Sequence, residues 1–149
     1  MRGQRHTLLV GGARSGKTLL FCRSILARAT NAPGSRHLIA QLHFNHVRAT
    51  IWLDTLPKTR ELCFPDLVLW DKRADAYVSL PQYGSEIWFG GLDESDRVDK
   101  ILGSEYATIF LNECSQIPYS TVVTVRTRLA QRWRSTTAAA ICHCANTTT

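Results

Sequence analysis

The sequence predicts a single α/β domain built on a mainly parallel β-sheet. Apolar runs of strand length alternate with longer segments of helical periodicity, as in proteins whose parallel strands are joined by crossover helices. The first apolar run leads into a glycine-containing loop directly before a predicted helix. The 149 residues are 44% hydrophobic and 20% charged, an ordinary globular composition. We therefore expect one domain over residues 1–149, with a core that needs no disulfide bonds.

Two strands and two helices are predicted in the first part of the chain. They are a buried strand at Thr7–Val10, a helix from Gly16 to about Ala29, a strand at Arg36–Leu42, and a helix from about Asn45 to Leu56. Gly11 and Gly12 end the first strand, and Pro57 ends the second helix because proline lacks a backbone N–H. Leu19, Leu20, Ile25 and Leu26 form the predicted apolar side of the first helix.

The remainder of the chain adds a hairpin, two further helices and three further strands. The hairpin joins Leu67–Trp70 to Ala76–Leu80 through residues 71–75. The other elements are a strand at Glu86–Phe89 ended by Gly90 and Gly91, a short helix capped by the acidic residues 93–96 and reaching Leu102, a strand at Ala107–Leu111, a helix at Tyr119–Trp133, and a last strand at Ala138–Cys144. Val122, Val125 and Leu129 share the predicted buried face of the last helix.

The sequence contains neither a membrane span nor a recognisable export signal. No apolar run approaches the roughly 18 residues that a transmembrane helix requires. The residues from Met1 to His6 lead straight into a short apolar run without a cleavage site of small residues. We expect a soluble domain that acts in the cytoplasm without a membrane partner.

The charges are distributed unevenly along the chain. The net charge is +6, yet all 12 acidic residues lie between Asp54 and Glu113, so that both flanks are basic. Arginine outnumbers lysine, and its planar guanidinium group suits bidentate phosphate contacts. The pattern is typical of a polyanion partner, either nucleotide phosphates or a nucleic-acid backbone. It is equally compatible with a solvated arginine-rich surface.

The five cysteines do not predict a disulfide framework or a metal site. Their number is odd and their spacing irregular. Cys142, His143 and Cys144 are adjacent, and neighbouring residues of a strand point to opposite faces, so they cannot all converge on one ion. His43 and His46 could share a helix face, but no cysteine pair completes a zinc spacing near them. Buried structural cysteines are the expected interpretation.

The segment Gly11-Gly12-Ala13-Arg14-Ser15-Gly16-Lys17-Thr18 matches the phosphate-loop pattern G-x-x-x-x-G-K-[ST] at every fixed position. Gly11 and Gly16 permit a tight loop whose backbone N–H groups point at phosphate oxygens. Lys17 would contact the β- and γ-phosphates, and Thr18 would supply a hydroxyl to Mg²⁺. The predicted strand before the loop and helix after it are the context that this motif requires. The sequence therefore predicts binding of ATP with Mg²⁺.

A second candidate site follows the apolar strand Ala107–Leu111. In a parallel sheet the end of this strand lies beside the phosphate loop. Glu113 is then placed to orient or deprotonate an attacking water. Asn112 stands where an aspartate would assist Mg²⁺, and its amide oxygen could bind a water on the metal. A surface turn after a core strand is the alternative interpretation of these two residues.

Four segments in the same order resemble the ATPase domain of tailed-bacteriophage terminase large subunits. They are the phosphate loop, Phe89-Gly90-Gly91-Leu92-Asp93, Ile101-Leu102-Gly103-Ser104-Glu105-Tyr106, and Leu111-Asn112-Glu113-Cys114-Ser115-Gln116-Ile117. The resemblance implies a P-loop NTPase fold of three layers with an additional strand and a catalytic glutamate. It also implies an ATP-driven motor that moves double-stranded DNA into a procapsid inside the host cell.

The resemblance implies roles for individual residues and partners. Arg14 would lie against the γ-phosphate and Glu113 would be the catalytic carboxylate, so that both would act in hydrolysis. Asn146 and Thr147 resemble the coupling segment, although Thr147 stands where relatives usually have proline. The implied partners are double-stranded DNA, other copies of the chain in a ring, the portal and the small terminase subunit.

The chain departs from the family pattern in three places. Only ten residues precede Gly11, where relatives carry an adenine-binding segment. Leu102 occupies the position of a basic residue that acts on a neighbouring subunit, with Lys100 and Arg97 nearby. The sequence also ends where a nuclease domain would begin, so we expect a fragment or truncated gene product that binds nucleotide and hydrolyses it slowly.

Two other function classes stay open at this stage. A small-molecule or nucleotide kinase shares the phosphate loop but would need a lid bearing arginine and an acceptor other than water. A non-catalytic DNA-binding or assembly remnant would fit Asn112 and the missing flanking segments.

Overall fold

The computed structural model describes residues 7–11, 14–93 and 95–131. The helices are α1 (Lys17–Asn31), α2 (Phe44–Val47), a π-helical segment (Arg48–Thr55), α3 (Leu56–Cys63), α4 (Ser95–Leu102), a 3₁₀ turn (Cys114–Gln116) and α5 (Tyr119–Arg126). The strands are β1 (Arg36–Gln41), β2 (Trp70–Lys72), β3 (Tyr77–Leu80), β4 (Ser85–Gly91) and β5 (Thr108–Leu111). No helix among these described elements is long and apolar enough to cross a bilayer.

The five strands form one mixed sheet in the order β2-β3-β4-β1-β5. Strand β1 pairs in parallel with β4 on one side and with β5 on the other, and Ala40 lies opposite both Gly90 and Leu111. Strands β2 and β3 form the predicted hairpin as an antiparallel pair, and β3 also pairs antiparallel with β4. The predicted α/β class and the hairpin are confirmed. The three parallel strands end together at one edge of the sheet, which we call the carboxyl edge.

Helices cover both faces of the parallel strands and make three layers. Helix α1 buries Cys22, Ile25, Leu26 and Ala29 in a core that also contains Ile39 of β1, Ile87 and Phe89 of β4, and Phe110 of β5. On the opposite face a second core contains Leu38, Ala40, Ile101, Tyr106 and Val125. Strand β1 is buried from His37 to Gln41 because helices pack on both of its faces.

Three contacts set the direction of α1 across the sheet. At its C-terminal end, the hydroxyl of Ser85, the first residue of β4, donates to the carbonyls of Ala29 and Ala32 at 2.8 and 3.1 Å. Near its N-terminal end, the ring of Phe21 stacks on Phe110 with centroids 3.8 Å apart. Phe110 lies one residue before β5 ends, so α1 begins at the carboxyl edge and runs antiparallel to the parallel strands.

The predicted strand at Thr7–Val10 is wrong. Residues 7–11 have no strand structure, and the side chains of Leu8 and Val10 are 73% and 87% exposed. An apolar run becomes a strand only when a neighbouring strand accepts its backbone hydrogen bonds, and no strand among the described residues pairs with it. The predicted last strand, Ala138–Cys144, lies outside the described residues.

The helix predicted to stop at Pro57 instead continues to Cys63. Pro57 lies in the first turn of α3, but Thr55 and Leu56 before it are already helical, so the proline removes one N–H donor inside a continuous helical run without ending it. The π-helical segment Arg48–Thr55 precedes this turn, and its wider turns change the register before the proline is reached. The prediction that proline ends the helix is wrong here because the hydrogen-bond pattern changes from π-helical to α-helical directly before Pro57.

The last predicted helix ends at Arg126 rather than at Trp133. The N–H groups of Thr127, Arg128 and Leu129 bond three residues back, and the carbonyl of Arg128 accepts a hydrogen bond of 2.8 Å from the Tyr106 N–H. This bond draws the chain alongside the segment before β5, which ends the helix. Leu129 is therefore 38% exposed rather than buried beside Val125.

The remaining boundaries differ by a few residues. Helix α1 extends to Asn31, but its early residues Leu19 and Leu20 are 39% and 46% exposed, so the buried face runs through Cys22 instead. The hairpin begins pairing at Trp70 rather than Leu67, and β4 includes both Gly90 and Gly91.

Burial gives His37 an effect on stability that depends on pH. Its Nε2 lies 2.8 Å from the Ser35 hydroxyl, and Nδ1 has no hydrogen-bond partner among the described residues. Burial, with a smaller contribution from the charge of Arg28, lowers the pKa of His37 from 6.5 to about 4. The native ring is therefore neutral at pH values where the unfolded chain binds a proton, so this group destabilises the fold as the pH falls.

We expect the wild type to lose about 3 kcal/mol more unfolding free energy than His37→Gln as the pH falls from above 6.5 to 4. Glutamine retains a hydrogen-bonding group for Ser35 but takes up no proton. Urea unfolding at a series of pH values measures the difference. Parallel curves for the two proteins would contradict the assignment.

Candidate active site at the carboxyl edge

The phosphate loop folds around the side chain of Lys17. The Lys17 Nζ donates to the Gly11 carbonyl oxygen at 2.7 Å and to the Ser15 hydroxyl at 3.0 Å. The ammonium group thus connects the first residue of the loop to Ser15, four residues later. Gly16 has a φ of +77°, which a residue with a side chain rarely adopts. Gly12 and Ala13 lie outside the described residues.

The N-terminus of α1 opens onto this loop without a side-chain cap. Gly16 occupies the N-cap position and cannot supply a capping oxygen, and the first turn holds no acidic residue. The first backbone N–H groups of the helix thus face the loop with a positive end of the helix dipole. Arg14 also has a left-handed backbone, with φ at +60°, an outlier that arises mostly at turns and functional sites.

A cavity of about 310 Å³, which we call the loop cavity, lies against this loop. Its lining consists of Arg14, Ser15, Gly16, Lys17, Thr18, Leu19, Thr55 and Lys58. Three of these described side chains are cationic and none is acidic. Thr55 and Lys58 come from the helical segment after β1 and were not among the predicted site residues.

Glu113 projects from a tight turn directly after β5. Its backbone is left-handed, with φ at 51°, and its side chain is exposed. The buried side chain of Gln41, only 2% exposed, donates from Nε2 to Glu113 Oε2 at 2.6 Å. The Asn112 Nδ2 donates to Gln41 Oε1 at 3.3 Å, and the Asn112 backbone N–H donates to the Ala40 carbonyl at 2.9 Å. Gln41 therefore holds both Asn112 and Glu113.

Sequence reasoning missed Gln41 although a signal was present. Gln41 is the polar last residue of an apolar strand, the same pattern that identified Asn112 and Glu113 after β5. Because β1 and β5 are parallel neighbours, their ends meet at the carboxyl edge. Phe21, in the first two turns of α1, stacks on Phe110 at that edge. The fold thus brings the phosphate loop and Glu113 to the same edge of the sheet.

The segment after β4 also packs onto the carboxyl edge. The Leu92 N–H donates to the carbonyls of Gln41 and Leu42, and the Asp93 carboxylate pairs with His43 Nδ1 at 2.7 Å. A Cβ at Gly91 would lie 2.7 Å from the backbone nitrogen of Phe44, so only glycine permits this approach. His43 and His46 have an edge-to-face ring contact with centroids 5.2 Å apart.

Several other candidate residues lie outside the described part of the chain. Asn146, Thr147, Cys142, His143 and Cys144 lie outside the described residues. The Lys100 Nζ lies 3.4 Å from the Asp75 carbonyl oxygen, and Leu102 is half-buried. Among the described residues no three His, Cys, Asp or Glu side chains cluster as metal ligands would. Cys22 is buried, which raises the pKa of its thiol to about 12 and agrees with a structural role.

Solved structures of bacteriophage large terminases share this fold. The large terminase of one thermophilic bacteriophage is 22% identical with a TM-score of 0.72, over 81% of this chain and 30% of that one. The complex of that terminase with ATP-gamma-S is 21% identical with a TM-score of 0.64, over 81% and 28%. The large terminase ATPase domain of Thermus phage P74-26 is 20% identical with a TM-score of 0.57, over 78% and 53%. The predicted P-loop fold of the additional-strand type is confirmed.

The chain thus spans less than a third of the length of the first of these large terminases. No curated protein sequence matches it. The family model described as "Terminase large subunit, T4likevirus-type, N-terminal" matches residues 8–144. This range contains the phosphate loop, the carboxyl edge and Glu113, and it confirms the resemblance seen in the sequence. The chain belongs to the family of terminase large subunits of the T4likevirus type, as its N-terminal region.

Proposed function

We propose that this chain is the ATPase domain of a viral DNA-packaging motor, in which ATP hydrolysis drives double-stranded DNA into a procapsid. The observation that carries the proposal is the placement of a phosphate loop and an exposed glutamate at one edge of a terminase-type sheet. The large terminase of a thermophilic bacteriophage, which shares the fold, has been solved with ATP-gamma-S. ATP is accordingly the proposed nucleotide.

The residues of the loop bind the phosphate chain. Lys17 exchanges its contacts with Gly11 and Ser15 for contacts with phosphate oxygens, and the uncapped N–H groups of α1 bind further oxygens. Gly12 and Ala13 complete the loop backbone. Arg14 binds the γ-phosphate, where its charge stabilises the charge that develops during transfer. Each of these groups is positive or a hydrogen-bond donor, as an anionic ligand requires.

The donors at the carboxyl edge fit a magnesium ion bound mainly through phosphate. Mg²⁺ usually binds through few protein oxygens together with substrate phosphates and water. Thr18 lines the loop cavity and offers its hydroxyl, and the half-buried Asn112 offers an amide oxygen that would act through water. When bound, the ion would offset the negative charge of the β- and γ-phosphates.

Glu113 acts on the attacking water as orienting group and general base. The hydrogen bond from Gln41 holds Oε2, which leaves Oε1 to accept from a water in front of the γ-phosphate. Gln41 is itself fixed, because it is buried and bonded to Asn112. We therefore assign Gln41 as a positioning residue that acts through Glu113.

The motor function requires partners beyond this chain. Family membership supports a ring of subunits on a portal, with the small terminase subunit as a further partner in the host cell. The basic flanks support a DNA backbone as the polyanion. Asn146 and Thr147 are the proposed coupling segment, which would respond to the γ-phosphate. Residues 1–149 constitute one ATPase domain in this proposal.

Substitutions at Lys17 and Glu113 should separate nucleotide binding from hydrolysis. We expect Lys17→Ala to lose both, since the ammonium contacts phosphate in the ground state. Glu113→Gln should bind ATP at least as well as wild type but hydrolyse it roughly 10²–10⁴-fold more slowly, the usual contribution of a general base. Equilibrium titration and single-turnover phosphate release without an added acceptor measure the two steps. That release would also exclude a kinase that requires an acceptor.

Glu61→Gln is the matched control, since Glu61 is an exposed glutamate on α3. It should retain both binding and hydrolysis. Hydrolysis by Glu113→Gln within a few-fold of wild type would remove Glu113 from the mechanism.

Arg14→Ala should reduce turnover more than affinity, because the contact of Arg14 with the γ-phosphate strengthens as transfer proceeds.

Gln41→Leu should lower kcat with little change in the dissociation constant of ATP. Leucine fills a similar volume but cannot hold Oε2, so we expect a loss on the order of tenfold to a hundredfold, the scale of misplacing a reacting group. Hydrolysis and titration report the two quantities, and urea unfolding checks that the fold is retained. Equal losses in affinity and turnover would indicate a purely structural role for Gln41.

DNA binding should be electrostatic and independent of base sequence. We expect the affinity for two unrelated duplexes to be equal and to fall by at least roughly tenfold between 50 and 200 mM salt, because released counterions drive binding to phosphates. Fluorescence anisotropy at several salt concentrations measures the slope. An affinity that does not change with salt would exclude DNA as the partner of the arginines in the two basic flanks.

A further inference from the structure

The wall of the loop cavity that faces the phosphate loop is made by a different part of the chain. Thr55 ends the π-helical segment and Lys58 lies in the first turn of α3, whereas the other lining residues belong to the loop and the start of α1. Lys58 is distant from the phosphate loop in sequence, with α1 and β1 between them. The fold therefore brings an additional cation to the cavity that no local motif contains.

This wall is held firmly by the residues on its inner side. Ile51 and Leu56 are 0% and 1% exposed, and the ring of Trp52 stacks on Phe89 of β4 at a centroid distance of 4.7 Å. The Trp52 indole N–H also donates to Asp71 Oδ1 at 2.9 Å. These contacts fix the face of the segment that packs on the core. The position of the opposite face, including the backbone of Lys58, is fixed with it.

Threonine hydroxyls stabilise the change from π-helix to α-helix at this wall. Thr55 Oγ1 donates to the Thr50 carbonyl and Thr59 Oγ1 donates to the Thr55 carbonyl, both at 2.7 Å. The Leu56 N–H bonds five residues back, to Ile51. Such π-helical turns are often found at functional sites. Here the turn ends at Thr55, the residue that lines the loop cavity beside Lys58.

The charge of Lys58 is balanced by an exposed neighbour. Its Nζ lies 2.5 Å from Asp54 Oδ1, and the two side chains are 64% and 52% exposed. An exposed pair of this spacing adds little stability, because solvent screens it. It can therefore be exchanged for a stronger anion at little cost to the fold. Among the described residues, the lining itself combines Lys58 with Arg14 and Lys17 and includes no carboxylate.

We propose that Lys58 is a third cationic ligand of the nucleotide phosphate chain. Without nucleotide, Asp54 holds the Lys58 ammonium group at the rim of the loop cavity. When a nucleoside triphosphate binds, the ammonium leaves Asp54 for a phosphate oxygen, and Asp54 becomes a nearby negative charge that opposes binding. The proposal rests on the proposed nucleotide-binding function and adds a residue outside the phosphate loop.

The test compares the affinities of Lys58 variants for ATP-gamma-S in the presence of Mg²⁺, measured by titration calorimetry. Lys58→Met retains the length of the side chain without its charge and should bind about tenfold more weakly, as expected when a charge-assisted hydrogen bond to phosphate is lost. Lys58→Arg should bind within about threefold of wild type. The matched control is Lys72→Met, which removes an exposed lysine of the hairpin strand β2 and should leave the affinity unchanged.

Asp54→Asn gives an independent result with the opposite sign. It frees Lys58 and removes a negative charge beside the phosphates, so it should strengthen binding a few-fold. The part of this gain that comes from freeing Lys58 should be lost when Lys58→Met is also present, so the gain should be smaller in the double variant. All of these side chains are at the surface, and thermal unfolding verifies that each variant is folded. Binding by Lys58→Met within twofold of wild type would overturn the proposal.

The outcomes distinguish this proposal from the function on which it rests. If wild type fails to bind ATP-gamma-S, or binds as Lys17→Ala does, then the nucleotide-binding function is wrong. If wild type binds, Lys17→Ala does not, and Lys58→Met equals wild type, then only the role of Lys58 is wrong.

Discussion

The packing of α1 across the parallel strands is the constraint on which the rest of the site depends. The hydroxyl of Ser85 fixes one end of the helix, and the stack of Phe21 on Phe110 fixes the other at the point where β5 ends. The helix direction therefore follows from contacts at both ends. Because the phosphate loop immediately precedes α1, the same contacts place Lys17 at the edge from which Glu113 projects.

A buried amide organises the side of that edge from which Glu113 projects. Gln41 would be costly to bury alone, since an unpaired polar group loses its hydrogen bonds to water. Its two hydrogen bonds, from Asn112 and to Glu113, offset that cost and at the same time fix both side chains. The left-handed backbone of Glu113 turns the carboxylate out of the strand direction. A satisfied polar network thus gives the Glu113 carboxylate a defined position.

The phosphate side is organised by charge. Lys17 folds over the loop and donates to the Gly11 carbonyl and the Ser15 hydroxyl, while Lys58 reaches the same cavity from α3 and is paired with Asp54. In the proposed nucleotide complex, phosphate oxygens would replace these protein partners of both ammonium groups. The contacts with Gly11, Ser15 and Asp54 offset the repulsion between these like charges, and the proposed anion would take their place.

The sequence alone determined the features that depend on neighbouring residues. The phosphate loop lies within eight consecutive residues, and the hairpin and the strand before Asn112 and Glu113 follow from local apolar patterns. Only the tertiary structure decided which distant residues meet there. Gln41 reaches Glu113 because β1 and β5 are adjacent and parallel, and Lys58 reaches the loop because the helix continues through Pro57. The apolar run at residues 7–10 fails as a strand for the same reason, since backbone pairing is supplied by a neighbour and not by the run itself.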